Sequence, residues 1–272
     1  MKGLSVISET LFIPLAGRIY VSKQHPKLLN DTKALEIESQ IDKEYLSLKH
    51  ADEYSLLASA VRNSNFYRII QAYLNEKQHD VAIINLGSGL DTTCYRMNLG
   101  SNNWFDVDLE NVIEMRRRML SENGNIHFLA ASVFEDEWIK IVKEFHPRNV
   151  LVVAMGFFYY FEKAKIVDFI DKIFSSFANV DVAFDTVSKA GLFVSNKIVS
   201  QMGKKVIMHF YVNDTDKFAN SYANHTVCIP EERFYTRTLN QIGSELKLKT
   251  RLFMKISNWL NMVKIVHLKR EN

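Results

Sequence analysis

The stretch VAIINLGSGLDTT, residues 81–93, decides the fold class of this chain. VAIINL is a short apolar run rich in β-branched residues, which predicts a buried strand. Gly87 and Gly89 follow, and without a Cβ they let the backbone turn tightly and approach a ligand. Asp91, Thr92 and Thr93, which come after Leu90, suit the start of a helix. A strand, a glycine turn and a helix start in this order indicate the ligand-binding edge of a parallel α/β sheet.

The same loop separates two classes of cofactor. A nicotinamide dinucleotide site requires a third glycine three residues after the second, where the pyrophosphate meets the helix N-terminus. That position is Thr92 in this chain. S-adenosylmethionine (SAM) has no phosphate, so the missing glycine favours SAM over NAD. A lone Gly-x-Gly can also be an ordinary tight turn that binds nothing.

Two carboxylates, Asp106 and Asp108, end the next predicted strand, NWFDVDL at 103–109. They lie near the offset of roughly 20 residues at which an acidic side chain reaches a ribose diol. Because they alternate along a strand, both point to the same face. Asp108 is nearer the carboxyl end of the strand and is therefore the preferred ribose acceptor. Either residue could instead cap the helix that starts at Glu110.

Outward from these motifs, strands alternate with amphipathic helices up to residue 187. The predicted strands are 81–86, 103–109, 125–131 and 180–187, together with a central strand that opens the apolar run 149–161 and leads into an aromatic-rich loop. The predicted helices between them are 109–120, 138–145 and 163–177. This alternation predicts an α/β fold whose mostly parallel sheet carries helices on both faces. Two further runs, 245–254 and 261–270, alternate like strands and are predicted to close the sheet at an antiparallel edge.

The predicted organisation is one domain of 272 residues. It comprises a helical N-terminal cap (1–80), a SAM-binding core (81–187), an inserted lid (188–230) and the closing strands (231–272).

Composition excludes several classes of protein. The net charge of +3 does not favour nucleic acid, and the densest basic run, Arg116 to Arg118, is expected to be a solvated helix face. Cys94 and Cys228 form no Cys-x-x-Cys pair, which argues against a disulfide framework and a metal site. The N-terminus does not resemble a signal peptide, and no apolar run is long enough to span a bilayer. We therefore expect a cytoplasmic protein with no membrane partner and no bound metal.

Five ordered blocks resemble the leucine carboxyl methyltransferase superfamily, in particular its bacterial branch related to polyketide O-methyltransferases. The blocks are ISETLFIPLAGRIY, NDTKALEI, INLGSGLDTTCYRM, WFDVDLENVIEMRRRML and AASVFEDEW. The resemblance implies a Rossmann-like class I methyltransferase, with a seven-stranded sheet whose last strand is antiparallel. It also implies SAM as cofactor and O-methylation in secondary metabolism. Met155, the aromatic residues that follow it and the predicted lid indicate a small, largely apolar acceptor that is methylated on a carboxylate or hydroxyl oxygen.

The resemblance assigns cofactor roles to individual residues. Arg62 matches the helix arginine that pairs with the SAM carboxylate, a task suited to the bidentate guanidinium fork. Asp108 matches the ribose acceptor. The remaining cofactor positions are those of the glycine loop, the adenine-side loop and the sulfonium neighbourhood: Gly87, Gly89, Ser132, Val133 and Met155.

This chain departs from the family pattern near the reacting centre. Thr93 replaces a usual arginine, and Met155 replaces a glutamate close to the sulfonium. Aromatic residues fill 157–161, which indicates either core packing or an aromatic methyl site with cation–π character. We expect Phe157, Tyr160 and the N-terminal Arg18 to contact the acceptor.

No catalytic base is evident. A carboxylate acceptor is already ionised near pH 7, whereas a hydroxyl acceptor would need a base. The weak candidates are Tyr159, Tyr160, His209 and His225. Two alternatives stay open. One is a SAM-binding protein without turnover. The other is a nicotinamide oxidoreductase, in which Tyr159 and Lys163 would form the Tyr-x-x-x-Lys pair of a short-chain dehydrogenase.

Overall fold

A computed structural model describes residues 11–42, 46, 52–201, 207–222 and 226–270. Seven strands form one sheet in the order β3-β2-β1-β4-β5-β7-β6. Their bounds are β1 Val81–Leu86, β2 Asn103–Asp108, β3 Ile126–Ala130, β4 Asn149–Ala154, β5 Val180–Val187, β6 Thr226–Ile229 and β7 Val263–Arg270. The first five are parallel, and β7 runs antiparallel to both β5 and β6. The predicted α/β fold with a mostly parallel seven-stranded sheet is confirmed.

Ten α-helices accompany the sheet in the described residues. They are α1 Phe12–Gln24, α2 Thr32–Ile37, α3 Glu53–Lys77, α4 Glu110–Met119, α5 Glu137–Glu144, α6 Lys163–Ser176, α7 Lys189–Gln201, α8 Thr215–Ala219, α9 Thr236–Ile242 and α10 Leu248–Trp259. Helices α2 and α3 begin at aspartate caps. Asp31 accepts a hydrogen bond from Ala34 N at the start of α2, and Asp52 accepts one from Ser55 N at the start of α3.

The sheet is covered on both faces, so its central strands read as continuous apolar runs. Every residue of β1 is buried. Ile83 belongs to the apolar cluster that includes α1 and α3, and its neighbour Ile84 belongs to the cluster that includes α5 and α6. The two-residue period of a strand thus divides one apolar sequence between two cores.

Strand order reverses between β1 and β4, which are neighbours although two strands separate them in sequence. In open α/β sheets, ligands bind outside the carboxyl ends of the strands at such a switch point. The glycine loop follows β1, and a turn with Gly156 at φ 73° follows β4. The fold therefore brings both turns to the same crevice.

Two predictions about the C-terminal third are wrong. Most of 245–254, predicted as a strand, lies in helix α10, because Thr250, Met254 and Ser257 at helical spacing form its buried face. The sheet instead takes its edge strand β6 from the stretch predicted as a lid, and of the closing segment only β7 is a strand. The rest of 188–230 includes helices α7 and α8.

Candidate functional site

The glycine loop is pinned to the end of β2. The amides of Gly87 and Ser88 both donate to Val107 O, at 2.9 and 3.3 Å. Gly87 and Gly89 have φ values of 62° and 50°, in the left-handed region that glycine tolerates best. A Cβ on Gly87 would lie 2.2 Å from Cδ2 of Phe157, so any side chain there would clash with that ring. The structure therefore requires glycine at this position on two independent grounds.

Asp108 closes the loop from the β2 side. Its Oδ2 accepts from Gly89 N at 2.8 Å and its Oδ1 accepts from Leu109 N at 2.8 Å. Burial raises the pKa of this carboxyl, and the two backbone hydrogen bonds oppose that rise. Each carboxylate oxygen can accept more than one hydrogen bond, so Asp108 retains capacity for a ligand's hydroxyl groups.

Asp106 has a structural role behind the loop. It is fully buried and forms an ion pair with Arg116, while Asn85 and Trp104 donate to its Oδ1 at 2.8 and 3.0 Å. Arg116 also donates to the carbonyl oxygens of Gly89 and Asp91, at 2.8 and 2.9 Å. The expectation of a solvated face for this arginine is therefore wrong: its guanidinium holds the loop from inside, since otherwise these carbonyls would be buried without partners.

A second network ties the N-terminal helices to the loop. Arg18 Nε donates to Asp31 Oδ2 at 3.0 Å, and its Nη2 donates to Leu90 O at 2.6 Å. Thr92 Oγ1 donates to the same Asp31 oxygen at 2.6 Å. Arg18 is buried and does not line the cavity described below. These contacts give Arg18, which was expected to contact the acceptor, a structural role instead.

Arg62 belongs to a buried cluster centred on Asp185, at the end of β5. Asp185 has no exposed surface and accepts from Arg62 Nε at 2.5 Å, Gly156 N at 2.6 Å and Tyr159 Oη at 2.7 Å. A Cβ on Gly156 would lie 2.7 Å from Arg62 Nη1, so the glycine leaves room for the guanidinium. Burial alone would lower the pKa of the Arg62 guanidinium, but the Asp185 carboxylate raises it above its usual value. Arg62 is thus a permanent cation at the switch-point crevice.

Beside this cluster lies a cavity of about 170 Å³ that is lined by α1, α3, α7, α10 and the β7 side of the sheet. Apolar side chains form most of its wall. They come from distant parts of the chain: Ile13, Pro14, Ala58, Val187, Val194, Ile198, Met208, Phe234, Phe253, Met262 and Val263. An apolar cavity of about 150 Å³ is large enough for benzene. The space suits a small organic group.

The polar part of the wall is made of neutral hydroxyl groups and Arg62. Tyr54 and Tyr235 share a hydrogen bond of 2.7 Å between their hydroxyl oxygens. Burial raises the pKa of Tyr54 to about 12, and it also raises the pKa values of Tyr159, Tyr160 and Tyr235. These tyrosines are therefore protonated near pH 7 and cannot act as bases there.

Ser257 adds an unusual feature to this wall. Its hydroxyl is buried and has no hydrogen-bond partner among the described residues, although the residue lines the cavity. Leaving a buried hydroxyl unpaired is costly, so such groups are normally satisfied by a ligand or water. The Ser257 hydroxyl is thus an unpaired donor within a residue of the cavity wall.

The other predicted residues are distributed around the crevice. Tyr159 and Tyr160 line the cavity, whereas Phe157 packs over Gly87 and against Phe134, with ring centroids 6.3 Å apart. Met155 is half-buried against the core that contains α1 and α3, and the cavity wall does not include it. The structure therefore separates Phe157 and Met155 from the space expected to hold the acceptor.

The adenine-side residues follow β3. Ser132 is half-buried and Val133 is buried, and Ala131 N donates to Asp108 O at 3.0 Å. This bond places the segment next to the predicted ribose acceptor.

The histidine candidates gain no support as bases. His209 is half-exposed outside the cavity wall, with its Nδ1 3.8 Å from Glu162 Oε1. His225 lies outside the described residues. The pair suggested for an oxidoreductase is also separated, because Tyr159 donates to Asp185 while Lys163 Nζ lies 5.7 Å from the centre of the Phe218 ring.

Sequence reasoning missed four residues of this site: Asp185, Tyr54, Tyr235 and Ser257. Asp185 carried a usable signal, since it is a charged residue inside the apolar strand VDVAFDTV. The tyrosine pair carried none, because 181 residues separate its members.

The crevice fits SAM on the evidence of its own atoms. Gly87, Gly89 and Gly156 adopt positive φ beside it, the Asp108 carboxylate holds the glycine loop at Gly89 N, and the buried Ser88 hydroxyl has no hydrogen-bond partner among the described residues. Arg62 lies on the opposite side, with Nε committed to Asp185 and its fork beside Gly156. Carboxylates accept hydrogen bonds from adjacent hydroxyl groups and guanidinium groups pair with carboxylates, so Asp108 and Arg62 have the chemistry that the ribose diol and the α-carboxylate of SAM require.

Comparison with known proteins identifies methyltransferases that are similar to this chain. A family model described as leucine carboxyl methyltransferase matches residues 14–174. Tetracenomycin polyketide synthesis O-methyltransferase TcmP of Streptomyces glaucescens is 27% identical over 190 residues, which are 68% of this chain and 67% of that protein. The S-adenosyl-L-methionine-dependent methyltransferase dpfgK of Gibberella zeae is 24% identical over 216 residues, covering 73% and 72%.

Solved structures share the fold at low sequence identity. A Thermobifida fusca protein that is provisionally assigned as a methyltransferase superposes with a TM-score of 0.59 at 13% identity, over 94% of both chains. The plantazolicin methyltransferase BpumL, solved with a desmethyl substrate analogue and S-adenosylhomocysteine (SAH), gives 0.51 at 10% identity over 99% and 100%.

Proposed function

Because the chain belongs to the leucine carboxyl methyltransferase family, we propose that it is a SAM-dependent O-methyltransferase that esterifies the carboxylate of a small, largely apolar acid. SAM supplies the electrophilic methyl group when it is bound. The chain's own residues bind and orient the two reactants and exclude water from the space between them. The role of TcmP in tetracenomycin polyketide synthesis supports an acceptor from secondary metabolism.

Cofactor binding is assigned to the two sides of the crevice. Asp108 would accept the ribose hydroxyls, while the free edge of the Arg62 guanidinium would meet the α-carboxylate. Residues 132–133 would flank the adenine beside Asp108. Asp185 keeps Arg62 oriented through a buried ion pair, so the clamp is fixed before the cofactor arrives.

One observation carries the choice of acceptor. Among the described residues of the cavity wall there is no histidine, carboxylate, lysine or cysteine, and its tyrosines are protonated near pH 7. Such a wall cannot remove a proton from an alcohol, but a carboxylate arrives already ionised and needs no base. The tyrosine hydroxyls and Ser257 can donate hydrogen bonds to its oxygens, while the apolar wall accommodates the rest of the molecule.

The test is a methyl-transfer screen with SAH formation as the readout. Matched pairs of small aromatic and aliphatic acids, phenols and alcohols, together with peptides, would be compared at pH 7 and pH 9. We expect turnover of acids, with little change in kcat/KM between the two pH values. Turnover of phenols or peptides but not acids would contradict the proposed acceptor. Tight SAH binding with no turnover of any compound would support the non-catalytic alternative.

A single side chain can link the turnover to this cavity. Replacing Ser257 by alanine should raise KM for the acid about 10- to 150-fold, the effect of losing one hydrogen bond to a charged group. The dissociation constant for SAH should not change. Ser175, whose hydroxyl donates to Asp171 O on the exposed side of α6, provides the matched control variant Ser175→Ala.

A further inference from the structure

Helix α10 has an unusual outer face. On a helix at 3.6 residues per turn, Leu248, Leu252, Ile256 and Trp259 fall within one narrow stripe. All four are exposed, and Trp259 reaches 80%. We call these residues the α10 stripe. The outer face of a helix on a globular protein is normally polar, so an apolar outer stripe indicates a surface that binds something.

The opposite face of α10, not the α10 stripe, packs against the core of the protein. Thr250, Met254 and Ser257 are buried, and Phe253 and Ser257 line the cavity. The helix is therefore already packed on its inner side. The stripe is a second apolar surface that these internal contacts leave uncovered.

The charged side chains of α10 and of Lys247 before it are of one sign, and the Glu53 carboxylate accepts from Lys247 N at 3.1 Å at the start of the helix. Lys247, Lys249, Arg251 and Lys255 accompany it, and the segment from 247 to 260 contains no acidic residue. Lys249 and Lys255 fall on either edge of the stripe by helical spacing. None of the four forms an ion pair with an acidic side chain in the described part of the chain. An apolar stripe flanked by uncompensated cations is the pattern of a helix that lies in the interface of an anionic membrane.

We propose that α10 docks this protein peripherally on an anionic lipid surface, with the α10 stripe in the headgroup boundary and the flanking basic residues on the lipid phosphates. No helix of the described residues is long and apolar enough to cross a membrane, and a surface-lying helix does not need to be. The sequence-based expectation of no membrane partner rested on the missing spanning run alone. Docking would bring the bilayer next to the cavity wall, because Phe253 and Ser257 lie on the inner side of the same helix.

The protein carries its own probe of this surface. It has three tryptophans, and two of them, Trp104 and Trp138, have no exposed surface. A change in tryptophan emission on adding lipid would therefore come from Trp259. We expect a blue shift, and quenching by lipids brominated near the headgroup, with vesicles of phosphatidylcholine containing 30% phosphatidylserine.

Vesicle co-sedimentation measures the affinity itself, in the full chain and without any methyl-transfer substrate, so its result is independent of the proposed function. The double variant Lys249→Glu/Lys255→Glu should reduce binding to the anionic vesicles at least ten-fold, and so should Trp259→Ser. Lys140→Glu and Ile141→Asn, at exposed positions of α5, are the matched controls and should bind like the unmodified protein. Raising the salt concentration from 50 to 500 mM should weaken binding by the unmodified protein, since it screens the lysines.

Two results would overturn the proposal. One is no sedimentation and no shift in emission with anionic vesicles. The other is a concentration-dependent blue shift without lipid, accompanied by a dimeric mass in light scattering that Trp259→Ser abolishes. In that case a second copy of the chain covers the stripe.

Discussion

Asp185 shows how much one buried carboxylate can hold in place. It accepts hydrogen bonds from Arg62, Gly156 and Tyr159, which connects the cofactor crevice with the acceptor cavity. Removing its charge would leave the Arg62 guanidinium without its counter-ion. Because these contacts form before any ligand binds, the same carboxylate affects both stability and ligand binding.

We predict that Asp185→Asn lowers the free energy of unfolding by about 2–4 kcal/mol, somewhat below the usual cost of breaking a buried pair because 22% of the Arg62 side chain is exposed. It should also weaken SAH binding. Urea denaturation and calorimetric titration measure the two effects. Asp168→Asn, on the exposed side of α6, is the control and should stay within about 0.5 kcal/mol of the unmodified protein. If the two variants behave alike, Asp185 does not organise the site.

Asp108 allows a test specific to the ribose. Asp108→Ala should weaken SAH binding by about 1–3 kcal/mol, the cost of leaving hydroxyl groups without an acceptor. The variant also loses the bond to Gly89 N, so a ligand pair is needed to isolate the ribose contribution. Unmodified protein should bind adenosine more tightly than 2′,3′-dideoxyadenosine, and the variant should bind the two alike. A preference that survives the substitution would place the ribose elsewhere.

At the scale of elements, the predicted bounds agree best with the structure where an apolar run is bounded on both sides by turn residues. The strands at 81–86 and 180–187 were predicted to the residue, since each is an apolar run bounded by turn residues. Helix α10 was predicted wrongly because Leu246, Lys247, Leu248 and Lys249 alternate like a strand. The four-residue spacing of the apolar residues in the α10 stripe indicates a helix instead of a strand. These side chains face outward, however, and do not form the buried face by which an amphipathic helix is usually recognised. The burial of Arg116 was not predicted, because its ion-pair partner Asp106 lies on a different element, strand β2.

The antiparallel edge of the sheet carries a pH-sensitive contact. His267 on β7 lies between Asp181 of β5, with Nε2 to Oδ2 at 3.0 Å, and Glu231 just after β6, with Nδ1 to Oε1 at 3.2 Å. Burial alone would lower the pKa of His267, but the hydrogen bonds to Asp181 and Glu231 raise it above the usual value. The imidazolium thus connects three strands.

This raised pKa has a defined consequence for stability. Stabilisation by the imidazolium is fully present below about pH 6.5, the ordinary histidine value, and is lost as the pH rises through the folded-state pKa. The free energy of unfolding should therefore decline as the pH is raised from about 6.5, and His267→Gln should remove that part of the decline. Denaturation at half-unit pH steps measures both curves. Parallel curves for the two proteins would contradict the assignment.

At the scale of the whole molecule, the sheet was more predictable than the cavity. The crevice is built from a local motif, residues 81–93, and from strand ends that follow it at fixed offsets. The cavity wall comes from α1, α3, α7, α10 and the segment before α9, which only the completed fold brings together. Tyr54 and Tyr235 contact each other there, and no local sequence pattern predicts that contact. The acceptor is thus harder to read from sequence than the cofactor.

The contacts of Arg18 and Asp31 have a consequence for exchange dynamics. Arg18 donates to Leu90 O, and Thr92 donates to Asp31, so helices α1 and α2 share side-chain bonds with the cofactor loop. A ligand that holds the loop closed raises the free energy of every opening that breaks these bonds, by up to RT ln(1 + [L]/Kd), or about 2.7 kcal/mol at a hundredfold excess over Kd. Amide deuterium uptake in 12–24 and 32–37 should then slow on adding SAH, while local exchange in α5, on the far face of the sheet, keeps its rate. Slower amide exchange in helices α1 and α2 would thereby report that a ligand occupies the cofactor loop.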